Sequence, residues 1–576
     1  MTWPTIKTRL LSKNEFFTKF YLSKSVIPEL VYRSFLVLIA MGIALAVPNL
    51  EQIIPLVGVT AGVMLALVFP ASLDSITFLP GMFRKLSKCH PEESKKQKLR
   101  ICWRIFKNTC LVSLGLFGCI AGLQNSTVST FYDDEDLPPL VRKKGLSGKV
   151  IFFNFMKGMI GPGCLSLPLA LKGAGLWTGI VLIIFYGGLN ACCMLQLVHC
   201  SQYLSRKKGD ASLDYGSLGF EACANSFKLL RPYKHLAKFI VNGAIIALQM
   251  GVCSVFYVFI AVHVKEIVEQ YWHLGFSKQT YMLLVLVPII LINFLRTLRV
   301  IALISVVGNI CMMASLVFIF VYLIQEDHLF GSLPWITDFN GIVTAAGSVL
   351  YAFEGQAMVL PMENKLKHPE KMVGSFGVLS CGMSVVTFIY ASCGFLGYIT
   401  YGKSVEGSIT LNLPDDLEFT IVKALLCFVV YSGFVIQEYV IVEMTWPTIK
   451  TRLLSKNEFF TKFYLSKSVI PELVYRSLIV IFAMGFAIAI PNLEQIIPLV
   501  GVTAGIMLAL VFPASIDSIT FLPGMFRKLS KCDEKEAKKQ KLRIFWKIFK
   551  NACLLGLGLF GCIAGLQSSI RDLIEN

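Results

Sequence analysis

Two short stretches of this 576-residue chain combine residue types that a plain membrane helix does not need. The first is Asn154-Phe155-Met156-Lys157-Gly158-Met159-Ile160-Gly161-Pro162-Gly163-Cys164-Leu165-Ser166-Leu167-Pro168, with glycines and a proline inside an apolar run. Gly is weak in helices and Pro removes a donor, so a helix here should be interrupted near Gly161, with Pro162 or a neighbour opening its second half. At membrane depth such a break survives only where protein buries it or where it lines a wet cavity. The start of a half-helix exposes N–H groups and a partial positive charge, a setting for a carboxylate. Ile160, Gly161, Pro162 and Gly163 are therefore candidate binding residues, although small residues at this spacing also serve close helix packing.

The second stretch is Tyr351-Ala352-Phe353-Glu354-Gly355-Gln356-Ala357-Met358-Val359-Leu360-Pro361-Met362-Glu363-Asn364. It sets Glu354 beside Gly355 inside an apolar segment. A carboxyl group in a membrane is costly unless neutral, paired or wet, so Glu354 is expected to meet a proton or an amine, or else to serve a neighbouring helix. Phe353, Glu354 and Gly355 join the candidate site. Glu363, beside Lys365 and Lys367, reads as a solvated charge at the membrane edge. Lys157 and Glu438 also fall in or near apolar runs, where function and structural pairing are both open.

These residues need a scaffold, and composition names it. The chain is 55% hydrophobic and 16% charged, holds 43 Phe, and has a mean hydropathy of +0.66. Such surface suits a bilayer, and eleven apolar segments after residue 147 reach roughly spanning length. They run near 148–171, 176–199, 237–263, 280–295, 299–324, 340–362, 374–400, 418–441, 471–490, 494–514 and 546–567. The net charge of +18 does not point to nucleic acid. Lys and Arg fill alternate short loops, while the intervening loops are acidic or sparse, which places the N-terminus of this unit in the cytosol and its C-terminus on the other side. The 17 Cys show no metal-binding spacing, and no cofactor or metal motif is present.

The unusual segments are the first and sixth spans. Many secondary transporters consist of two five-helix halves of inverted topology, each beginning with a broken helix, with substrate between the breaks. The expected fold is therefore all-α and membrane-integral, with a five-plus-five repeat and a peripheral eleventh span.

At these residues the chain resembles a known family. Gly158-x-x-Gly161-x-Gly163-x-x-x-Leu167-Pro168-x-Ala170, followed by Ala174-Gly175, is similar to the opening of the proton-coupled amino acid transporters of the amino acid/auxin permease superfamily. Phe353-Glu354-Gly355 through Leu360-Pro361-Met362-Glu363-Asn364-Lys365, then Pro369, is similar to their sixth helix. The resemblance covers residues 131–576. It implies symport of protons with small neutral amino acids in the plasma membrane or the endolysosomal system. Where family members often carry a proton-coupling His this chain has Asn154, which does not titrate, and Pro162 stands where they tend to have Thr. Glu354 is then the candidate proton-coupling group. These departures also admit a different reading, a membrane sensor that binds amino acid without net flux. No HExxH, GxSxG or Walker pattern supports an enzyme.

Residues 1–124 stand apart. They return at 444–567 with about 106 of 124 positions identical. Met444 lies just after the eighth span, so the head is a copy of spans nine to eleven and lacks both broken segments. A polar linker, 125–147, joins it to the transporter unit at 148–576. With three spans the head would leave that linker on the side opposite the one the next unit requires. A merger of two adjacent duplicated genes, or a partial duplication, accounts for this. Asn125 begins the chain's one glycosylation sequon and is usable only if the linker faces away from the cytosol.

Overall fold

The computed structural model describes residues 145–576 apart from 210–211, 297, 330–331, 375, 457–468 and 576, together with Arg142 and the isolated positions Pro70, Asp74, Met82, Arg104 and Asn108. All fall within the unit Val63–Asn576. Most of the duplicated head and the sequon at Asn125 lie outside the described residues.

The apolar runs become helices, and each expected segment meets one. In chain order they are α1 (Gly148–Met159), α2 (Leu167–Ala174), α3 (Leu176–Lys208), the short α4 (Tyr215–Ala224), α5 (Lys234–Trp272), α6 (Lys278–Asn293), α7 (Leu298–Gln325), α8 (Phe339–Ala352), α9 (Gln356–Asn364), α10 (Val378–Tyr401), α11 (Leu417–Lys456), α12 (Ile470–Ala489), α13 (Leu493–Val500), α14 (Phe512–Leu529) and α15 (Glu534–Glu575). Among the described residues nine helices are long and apolar enough to cross a membrane, and the bent pair α1 and α2 makes up to ten. The segment expected at 280–295 is α6, apolar but only 16 residues long. The one departure from helix and loop among these residues is an isolated parallel bridge between Leu146 and Leu366.

Local chemistry sets several boundaries. Asp214 and Asp338 cap α4 and α8 by accepting from the amides of Ser217 and Gly341, satisfying helix-start N–H groups. Gly175, at φ 89°, makes the turn from α2 to α3, a conformation that L side chains avoid. Between α13 and α14 the helix widens into π turns at Gly501–Gly505 and Met507–Val511. There Gly501 meets Gly347 of α8, and a Cβ on either glycine would collide with the opposing backbone.

Packing places the site. α2 lies against α8 and α10, α8 against α13, and α5 against α11 and α12. Behind them, α14 and α15 are locked by a buried polar cluster. Lys547 Nζ lies 3.1 Å from Asp517 Oδ1, Asn551 donates to Asp517 at 2.7 Å, and Gln196 of α3 donates to Asn551 at 2.9 Å. The equivalent head residues form the same lock. Arg104, aligned with Lys547, reaches Asp74 at 2.6 and 2.7 Å, and Asn108 donates to Asp74 at 2.7 Å.

Candidate functional site

Both expected interruptions are present. α1 ends at Met159, Ile160 is extended (φ −78°, ψ 98°), and Gly161 is more extended still (φ −133°, ψ −169°). Pro162 then opens a 3₁₀ turn, Pro162–Ser166, that leads into α2 with an overall bend of 46°. The proline occupies the first helical position, where its missing N–H costs no hydrogen bond. In the second stretch α8 stops at Ala352, Phe353 to Gly355 form the break, and α9 restarts at Gln356.

The two breaks lie against each other. A Cβ on Gly163 would stand 3.0 Å from the Cα of Ala352, so this position admits a glycine and little more. A Cβ on Gly355 would instead meet the sulfur of Met159, the far part of a flexible side chain. By contrast, a Cβ on Gly161 would meet nothing within 4 Å, so open space lies beside the first break.

One side chain touches both half-helix ends. The hydroxyl of Tyr390, buried on α10, lies 2.6 Å from the carbonyl oxygen of Met159 and 2.8 Å from that of Ala352. Its ring packs on Phe353 at 4.9 Å between centroids. The second break has a further anchor on α3, where Asn190 Nδ2 donates to the Phe353 carbonyl at 2.7 Å and accepts in turn from Gln356 Nε2. These donors serve carbonyls that the interrupted helices would otherwise leave bare at depth, the Tyr390 hydroxyl being shared between two of them. Ser166 closes the first turn with a 2.8 Å bond to the Gly163 carbonyl. The amides of Gly161 and Gly355 donate to no other backbone group among the described residues.

The candidate residues therefore divide. Ile160, Gly161, Pro162, Gly163, Phe353, Glu354 and Gly355 gather at the paired breaks. Glu354 is half-buried, and no basic side chain among the described residues pairs with it. Asn154 lies on an exposed face of α1, and Lys157 is half-buried. Glu363 corrects the sequence reading. It is fully buried, and Arg142 grips its carboxylate at 3.0 and 3.1 Å while Gln202 of α3 donates at 3.1 Å. Arg142 also donates to the Leu366 carbonyl, and Leu146 bonds the backbone of Lys365 and Lys367, so the segment just before α1 is tied to the end of α9. Tyr390, Asn190, Gln356 and Arg142 were not among the expected residues. The available signal was polar side chains inside apolar runs, as at Asn190 and Gln356.

Among the described residues no group of three or more His, Cys, Asp and Glu side chains could hold a metal ion. The arrangement offers instead free amides, a carboxyl group and open space at a break in two helices, suited to a small zwitterion.

The family of transmembrane amino acid transporter proteins matches residues 6–124 and 145–565, the first piece falling in the duplicated head. The "probable amino acid transporter skat-1" of Caenorhabditis elegans is 32% identical over 76% of this chain and 93% of its own length. The "proton-coupled amino acid transporter-like protein pathetic" of Drosophila melanogaster is 28% identical over 73% of this chain and 84% of its own. Among solved structures, Mhp1, a nucleobase-cation-symport-1 family transporter in a closed conformation with bromovinylhydantoin bound, aligns at a TM-score of 0.43 and 11% identity, covering 77% of this chain and 96% of that one. The family match over most of its length and the 32% identity to the skat-1 relative show that this chain belongs to the transmembrane amino acid transporter family.

Proposed function

We propose that the chain is a secondary active transporter of small neutral amino acids, coupled to protons and working by alternating access. The observation that carries this reading is the meeting of the two helix breaks under the Tyr390 hydroxyl. The substrate carboxylate takes the amides at Gly161 and Gly163, where the half-helix N-terminus favours an anion. Asn190 uses the Phe353 carbonyl and the one Tyr390 hydroxyl is shared by the Met159 and Ala352 carbonyls, so the Ile160 carbonyl and Glu354 are the acceptors offered to the ammonium. Close backbone approach at Gly163 and Ala352 limits the site to small side chains. Glu354 is the candidate proton-coupling group, because Asn154 does not titrate and is exposed. A relative named as proton-coupled supports coupling.

In this reading the unit 148–576 is a five-plus-five inverted repeat with a peripheral last span. Loop charge puts its N-terminus in the cytosol and its C-terminus outside or in the lumen, in the plasma membrane or an endolysosomal membrane. Residues 1–124 are a passenger copy of the last three spans, joined by gene merger or partial duplication.

The test is uptake of labelled glycine, alanine and proline by the full chain in proteoliposomes under an imposed proton gradient. Saturable, gradient-driven accumulation supports the reading, and no saturable uptake at any pH sinks it. The Asn154 and Pro162 departures favour one other outcome, saturable binding without counterflow, which would make the protein a sensor.

A further inference from the structure

Glu438 sits in α11 with no exposed surface. Neither of its carboxyl oxygens has a hydrogen-bond partner among the described residues. Arg476 on α12 is within electrostatic range but is committed elsewhere. Its Nε and Nη2 each donate to Glu472 at 3.2 Å, its Nη1 donates to the Asn293 carbonyl at 3.2 Å, and its guanidinium lies 5.9 Å from the Tyr439 ring centroid. From α5 the thiol of Cys253 lies within range of both Glu438 and Glu354. Among the described residues Arg476 is the basic group that acts on it. Over residues 300–325 α7 has no acidic, basic or His residue, and α6 carries only Lys278, at its far end.

A carboxylate enclosed this way, with no hydrogen-bond donor among the described residues, is costly to keep ionised. A rearrangement that brings water or frees Arg476 would remove that cost. A group that must hold a proton in one conformation and can release it in another couples protonation to conformational change.

We propose that Glu438, on α11, is a second proton-binding site besides Glu354. It loads a proton in the conformation described here and releases it when α11 and α5 shift and Arg476 turns from Glu472 toward it. The inference rests on the proton-coupled reading above and adds a specific residue to it.

The test uses the full chain in proteoliposomes, with an entrapped pH dye reporting alanine-driven proton movement and labelled alanine reporting counterflow. Glu438→Gln is expected to keep counterflow and to lose proton movement by roughly ten-fold or more. Glu438→Asp keeps a titrating group and is expected to retain proton movement with a shifted pH dependence. Undiminished proton movement in Glu438→Gln overturns the proposal. So does loss of counterflow together with proton movement in a variant that remains folded, which would make Glu438 structural. If Glu438→Gln does not fold, an unshifted pH profile in Glu438→Asp overturns it and a shifted one supports it. Wild-type protein that exchanges alanine without moving protons would sink the coupled reading itself, a result distinct from failure at Glu438 alone.

Discussion

Arg142 Nη2 lies 3.0 Å from Glu363 Oε2, with both side chains buried, across 221 residues of chain. This ion pair, the Gln202 bond and the Leu146–Leu366 bridge fix the approach to α1 against the end of α9. Removing Arg142 alone strands a buried charge. Arg142→Ala is expected to destabilise the fold by about 3–5 kcal/mol, and Arg142→Met with Glu363→Leu to recover much of that. Thermal unfolding in detergent checks both, and equal loss in the double variant would refute the pairing argument.

Tyr390→Phe keeps the ring on Phe353 and deletes one hydroxyl. Two buried carbonyls lose their common donor, at a cost of about 1–3 kcal/mol. Transport is expected to fall more than this stability loss explains, read as a lower maximal uptake rate in folded protein.

The glycines at the first break should behave oppositely. Gly163→Ala places a methyl 3.0 Å from a backbone atom that cannot yield, at about 1–3 kcal/mol and with loss of transport. Gly161→Ala points its methyl into open space and is expected to change stability by less than about 0.5 kcal/mol. A raised KM for glycine in that variant would mark the space as substrate volume, and an unchanged KM would remove it from the site.

Glu354→Gln cannot exchange a proton. Uptake that still rises with external acidity as in wild type would exclude Glu354 as a proton carrier, whereas a flattened pH profile is the expected result.

A chain beginning at residue 131 retains both broken helices. Its uptake is expected to match that of the full chain, and an inactive but folded truncation would show that the head contributes.

Much of this was legible in residue types. Glycine and proline in an apolar run mark the first break because they act on the backbone locally, whereas the second was expected at Phe353–Gly355 from Glu354 beside Gly355 and from the plan of two matching halves. Partners were not. Glu363 reads as a surface charge when only Lys365 and Lys367 stand beside it, since nothing in sequence order brings Arg142 close. Tyr390 is one aromatic among many apolar neighbours, and its role follows only from where α10 lands. The duplicate helped by a different route. The Asp517 lock recurs at Asp74 with Arg104 in place of Lys547, so a pairing in α14 and α15 could be sought in two versions of one sequence.

A phenol has a single hydrogen, yet Tyr390 stands between two acceptors at nearly equal distance. It donates to one at a time and rotates between them. If either half-helix draws away, the bond passes to the other and no donor is stranded. The two breaks thus compete for one proton donor, and the contact resists parting less than two independent bonds would. Such degeneracy suits a hinge that must hold shape and still change it.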